Sequence, residues 1–141
     1  MKKLLLALVV QLLAGIVVQA AVKDTAFITP FERSHGTQTA TYAETMDFYN
    51  RLYDKYQGIM IGDAGITDIG LPLKIVFYTK DHVYDRDSWK QSGKIVLLIN
   101  NDIHPGEPDG VDASMMLIRD ALTGKVTIPD NIVLVVVPMY N

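Results

Sequence analysis

Apolar and polar residues alternate along this chain with more than one period. Tyr42, Met46, Tyr49, Tyr53 and Tyr56 recur three or four positions apart, the spacing of one face of an α-helix. Thr41-Tyr42-Ala43-Glu44 supplies its start. The Thr41 hydroxyl can accept a backbone N–H three residues on, and Glu44 can reach back to the N–H of Thr41. Gly58 supplies the stop. The tyrosine-rich face predicts a helix lying on a sheet, with hydroxyls at the edge of the core, in preference to a ligand platform. Val111, Met115, Ile118 and Leu122 mark a second helix face, stopped by Gly124.

Elsewhere the helical period disappears. Residues 59–61 read as a short strand, 62–70 as turn-rich, and 73–78 as a β-branched and aromatic strand. Residues 94–99, apolar throughout after Lys94, and 132–137 are continuous runs. Such runs predict strands buried on both faces, as in a parallel or mixed sheet covered by helices. The second helix lies between them, so residues 94–137 form a strand–loop–helix–strand unit with the helix on one face. Residues 81–92 are polar and charged and predict a surface connection, with His82 exposed and Trp89 packing at its rim. The fold class these elements predict is α/β, a three-layer α/β/α arrangement with a mixed, mostly buried sheet. It is expected to be incomplete at its C-terminal end, where Pro138-Met139-Tyr140-Asn141 follows a buried strand with nothing to cover it.

The first residues predict processing instead of fold. Lys2 and Lys3 precede an apolar run over residues 4–18, and Val18-Gln19-Ala20 offers small residues where a signal peptidase reads. Gln11 and Gly15 interrupt the run, which is short of the roughly 20 apolar residues that span a bilayer. The expected organisation is a signal peptide over 1–20, an extended segment over 21–38 and a folded part over 39–141. Such a protein is exported and keeps no stable membrane anchor after cleavage. Composition narrows the partners. A net charge of -3 with no basic stripe argues against nucleic acid. The absence of cysteine excludes disulfides and thiolate metal sites.

The chemistry gathers in one loop, Asn100-Asn101-Asp102-Ile103-His104-Pro105-Gly106-Glu107-Pro108-Asp109-Gly110. It follows an apolar strand and enters a helix, the usual place for a site in an open α/β sheet. His104 and Glu107 are three apart across a Pro-Gly turn, so an imidazole nitrogen and a carboxylate can point at one centre. That donor set suits zinc. Pro105 and Pro108 stiffen the loop, and Gly106 and Gly110 permit tight turns. The pair alone leaves two readings open, a metal pair or a solvated surface His and Glu. Asp102 and Asp109 flank it and can orient His104 or bond the loop backbone; loop stabilisation is the expectation. Arg119 reads as a salt-bridged residue on the helix surface. His35 and His82 carry no assigned role.

The run from Ile99 through Gly110 into an apolar helix resembles the zinc loop of the carboxypeptidase A-like metallopeptidases. The upstream order agrees. The helix opened by Thr41-Tyr42-Ala43-Glu44 precedes Ile61-Gly62-Asp63 and then Thr67-Asp68-Ile69-Gly70-Leu71-Pro72-Leu73, which resembles that family's first helix and following strand. The resemblance covers residues 30–141. It implies a zinc ion held by His104, Glu107 and a later His, a metal-activated water, a downstream Glu as general base, and an Arg and an Asn-Arg pair on the substrate. Only His104 and Glu107 carry over. After Glu107 the chain has no His, no Glu, and Arg119 as its one Arg. The third ligand is therefore expected beyond Asn141, and these residues alone are expected to be inactive. The implied function is hydrolysis of peptide or related amide bonds. Cell-wall peptide amidases and deacylases of the same family are the alternative, and a non-catalytic relative or binding module is the other. No Gly-x-Ser-x-Gly elbow supports a serine hydrolase.

Overall fold

The computed structural model describes residues 25–104 and 106–141. The expected signal segment and Pro105 lie outside the described residues. After a short 3-10 turn at Thr25–Phe27 the elements are α1 (Pro30–Arg33), α2 (Tyr42–Lys55), β1 (Ile59–Ile66), β2 (Pro72–Tyr78), α3 (Arg86–Gln91), β3 (Ile95–Asn100), α4 (Asp109–Leu122) and β4 (Ile132–Val137). The strands form one mixed sheet in the order β1-β2-β4-β3. β1 and β2 are antiparallel, as are β2 and β4, whereas β3 and β4 run parallel. Among the described residues no helix is long and apolar enough to cross a membrane.

Strand alternation sorts the core into two layers. Val76, Tyr78, Leu134 and Val136 face α2 and α4, where Phe48, Tyr49, Leu52, Val111, Met115 and Ile118 complete the main core. Ile75, Phe77, Val133 and Val135 point the other way and pack with Trp89 of α3 and with Tyr84. Helices thus lie on both faces, and the expected three-layer α/β/α fold with a mixed sheet is present.

Several expectations are corrected. The 21–38 segment is not extended throughout. Thr29 accepts from the Glu32 N–H while Glu32 reaches back to Thr29, a second capping box that closes α1 with Pro30 at its start. The Thr41–Glu44 box forms as expected, but the buried face of α2 is Thr45, Phe48, Tyr49 and Leu52. Tyr53 is 52% exposed. Tyrosine satisfies its hydroxyl in water, so it marks a helix flank as readily as a core face. β1 continues to Ile66 through a bulge between Asp63 and Gly65, because β2 offers a ladder as far as Pro72. The connection over 81–92 contains α3, and Trp89 is buried at 7% exposure, its Nε1–H donating to the Val83 carbonyl at 2.6 Å. That indole is a core residue of the second layer instead of a rim residue.

The largest difference concerns the two apolar runs. β4 is buried on both faces as expected. β3 is not: Ile95, Val96, Leu97 and Leu98 are 49–60% exposed. It occupies the sheet edge, with β4 on one side only, and it carries no charge, proline or bulge of the kind that blunts edges. The other edge, β1, has a bulge and the Asp63–Lys74 ion pair at 2.6 Å. Leu97 and Leu134 are register partners on one face, half-exposed and buried respectively. Leu134→Ala is expected to cost roughly 2–5 kcal/mol, and Leu97→Ala at most about half as much, by urea denaturation. Equal losses would mean that β3 is covered in solution.

Candidate metal loop

The parallel pair β3–β4 ends with its two chains still bonded. The Asn101 N–H donates to the Val137 carbonyl at 3.1 Å, Tyr140 N–H to the Asn101 carbonyl at 3.0 Å, and Asn141 N–H to the Asp102 carbonyl at 3.2 Å. This extension fixes where the loop departs from the sheet. Asp102 then takes φ 51, a left-handed backbone that non-glycine residues adopt at a cost. The Glu107 N–H donates to the His104 carbonyl at 3.2 Å, so the loop turns back on itself. Gly106, at φ 95, permits that turn.

The turn brings the two predicted ligands together. His104 Nδ1 lies 3.2 Å from Glu107 Oε2, and the side chains are 74% and 72% exposed. As it stands the contact is a hydrogen bond, with the tautomer set by whichever group carries the proton. The separation also matches a metal pair. Two donors held tetrahedrally at about 2.0–2.1 Å from one zinc ion sit about 3.3 Å apart. An imidazole nitrogen and a carboxylate oxygen are a fitting donor set for that ion, so the residues present fit two of its positions.

The flanking acids play different parts. The Asp102 carboxyl is pushed above its ordinary pKa by burial and by the neighbouring Glu107 charge. Its backbone carbonyl makes the bond to Asn141. Asp109 is exposed in the first turn of α4, where an acidic side chain suits the helix dipole. Pro108 and Asp109 form one wall of an open cleft of about 430 Å³ whose other wall includes Phe31, Thr37 and Thr39. Asp112 also lines it, but its Oδ2 is committed to the Thr39 hydroxyl and to the Ala40 N–H. Neither His35 nor His82 joins the pair. Among the described residues no three of His, Cys, Asp and Glu are grouped as a metal ion needs.

Arg119 is salt-bridged as expected but is not at the surface. It is 8% exposed. Its guanidinium donates to the Phe27 carbonyl at 2.9 Å, to Glu32, and to Asp120 at 2.7 Å. It pins α1 and the 3-10 turn onto α4, a structural role unlike that of a clamp on a substrate carbonyl.

Sequence patterns did not reveal Asn101 or Ser114, and Gly110, expected to permit a tight turn, lies instead inside α4 with no positive φ. Asn101 Nδ2 donates to the Ser114 hydroxyl at 2.8 Å in a buried contact. A Cβ on Gly110 would lie 2.5 Å from Asn101 Oδ1. The sequence marked Gly110 only as a turn glycine ahead of the helix.

No protein-family model and no curated protein sequence matches this chain. Among solved structures, the crystal structure of carboxypeptidase A from Helicoverpa armigera is similar, with a TM-score of 0.54 and 19% sequence identity over 71% of this chain. The match covers 24% of that protein, so the chain spans about a quarter of its length. The fold is carboxypeptidase-like.

Acid should loosen the Arg119 cluster. Burial works to raise the Glu32 pKa, but hydrogen bonds from Arg119 and Thr29 and the guanidinium charge outweigh it and hold the carboxyl below its ordinary 4.5. A depressed carboxyl contributes stability that is complete above the unfolded pKa and is lost as pH falls through the folded one. Urea denaturation between pH 6 and pH 3 is expected to show a smaller acid loss for Glu32→Gln than for the unmodified chain. Arg119→Met at neutral pH is expected to cost about 2–4 kcal/mol, since it strands a half-buried carboxylate. Parallel acid curves would remove Glu32 from the account.

Proposed function

We propose that this chain is the zinc-ligating portion of a carboxypeptidase-type hydrolase of peptide or related amide bonds, with His104 and Glu107 as two of the metal's protein ligands. One observation carries the reading: the 3.2 Å approach of His104 Nδ1 and Glu107 Oε2, at the sheet end where a parallel strand hands over to a helix, in a carboxypeptidase-like fold. Ligand and metal sites in open α/β sheets favour the carboxyl ends of parallel strands.

When bound, zinc supplies a Lewis acid and lowers the pKa of a coordinated water toward about 7. This chain's own part is to present the pair. The turn bonded between Glu107 and His104 sets their spacing, and the strand extension to Tyr140 and Asn141 sets where the turn sits. A catalytic zinc needs three protein ligands and an open position, so the reading requires a third ligand from polypeptide outside these 141 residues. The general base and the groups that hold the substrate belong to that same polypeptide. Export is part of the proposal, supported by Lys2, Lys3 and the apolar residues 4–18.

Zinc titration by calorimetry tests the ligands. The chain is expected to bind zinc weakly, His104→Ala and Glu107→Ala to lose at least about tenfold in affinity, and Asp102→Asn to change much less. Zinc binding unaltered by His104→Ala would sink the ligand assignment, and a loss in Asp102→Asn as complete as in His104→Ala would make Asp102 a ligand.

A further inference from the structure

We infer that Asn101 is the positioning residue of the metal loop, a buried clamp between the loop's first residue and the helix that closes it. The inference draws its functional meaning from the reading of His104 and Glu107 as ligands, but its geometry stands apart from that reading.

Asn101 is the first residue beyond β3 and is 5% exposed. Its backbone is bonded on both sides, to Val137 and Tyr140. Its side chain faces α4 with both polar atoms. Nδ2 donates to the Ser114 hydroxyl at 2.8 Å, and Oδ1 lies against the bare Cα of Gly110, where a methyl would be 2.5 Å away. The span from Asp102 to Asp109, which holds His104 and Glu107, is thereby closed at its base.

Gly110 gives the contact its meaning. Glycine costs helix stability relative to alanine and is usually kept for a positive φ. Gly110 has no positive φ, unlike Gly106 and Gly124. What it provides is room for the Asn101 amide. Helix propensity gives way to a close approach, and the approach fixes α4 against the strand end. Asp102, next along the chain, holds a left-handed φ of 51. A non-glycine residue stays there only when its surroundings over-determine it. The clamp on one side and the Asn141 N–H on the other do so. Asn101 touches neither His104 nor Glu107, so it acts on the pair through the loop.

The test uses the full chain with Asn101→Ala, Gly110→Ala and the double variant. Two quantities are read: amide hydrogen exchange at Glu107 and Tyr140, and zinc affinity by calorimetry well below the unfolding temperature. Each single variant is expected to speed exchange at both amides and to weaken zinc by up to about tenfold, the low end of the loss seen when a group bonded directly to a ligand is removed, with far-UV dichroism unchanged. The double variant is expected to be no worse than either single one, because truncating Asn101 clears the space that the methyl added by Gly110→Ala would fill. Losses that add in the double variant would overturn the clamp, as would unchanged exchange and affinity in Asn101→Ala. If the unmodified chain takes up no zinc, the ligand reading fails, and exchange at Glu107 and Tyr140 alone decides the clamp. If Asn101→Ala does not fold, Ser114→Ala, which removes only the hydroxyl acceptor, carries the same comparison.

Discussion

Everything in this molecule is arranged around β4. Among the described strands it alone is both hydrogen-bonded to a neighbour on each side and buried on both faces. A strand in that position cannot leave a backbone N–H or carbonyl without a partner, because no water reaches it. It also cannot carry a polar side chain. Ile132–Val137 answers both demands with six consecutive aliphatic residues. Leu134 and Val136 hold α2 and α4, and Val133 and Val135 hold Trp89 and its neighbours. The antiparallel hairpin of β1 and β2 joins one side of it, and β3 joins the other in parallel. The parallel relation matters most for function. It forces a crossover through α4 and places the ends of β3 and β4 side by side, so the loop that leaves β3 starts beside a second, equally rigid strand end.

That position explains why an exposed pair of side chains can be well placed. His104 and Glu107 are themselves largely in solvent, and an exposed loop ordinarily wanders. Here its two ends are held by the bonds to Val137, Tyr140 and Asn141 and by the Asn101–Ser114 contact. The far end of α4 is fixed by a different device, Arg119, whose guanidinium reaches back to Phe27 and Glu32. The helix is therefore secured at the Asn101 contact by a neutral hydrogen bond and close packing, and near its C-terminus by charge. Only the second responds to acid.

The sequence carried the architecture where a local signal existed. Both helices of 14 residues have recognisable starts or stops, and the Thr41–Glu44 box placed the start of α2 to the residue, while the helix ends at Lys55, short of the Gly58 stop. β2 and β4 announced themselves by β-branched runs. The failures share one cause, dependence on something distant in the chain. The face of α2 that goes inside depends on which side meets the sheet, and tyrosines at its flank mimic a core stripe. Trp89 becomes core because Phe77 and Val135, far along the chain, leave a place for it. β3 and β4 have near-identical composition, yet one is buried and one is half-bare, since strand order and not residue type decides which is interior. At the loop, the His104–Glu107 contact was legible because the two residues are three apart in sequence across one turn. Asn101 was not, because its partners are Ser114 and the empty space at Gly110, and an absence of atoms leaves little mark in a sequence.

The exposure of β3 and of the His104–Glu107 pair belong together in the fold. β3 leads directly into Asn101 and the loop, so the bare edge and the pair are continuous along the chain. An aliphatic strand exposed on both faces loses the burial that its composition suits, and a zinc ion with two protein ligands lacks the coordination that would hold it. A strand added to β3 would run about 4.8 Å from it. The buried half of the sheet, with β4 and its clamps, is then the rigid reference against which such an edge partner would be placed.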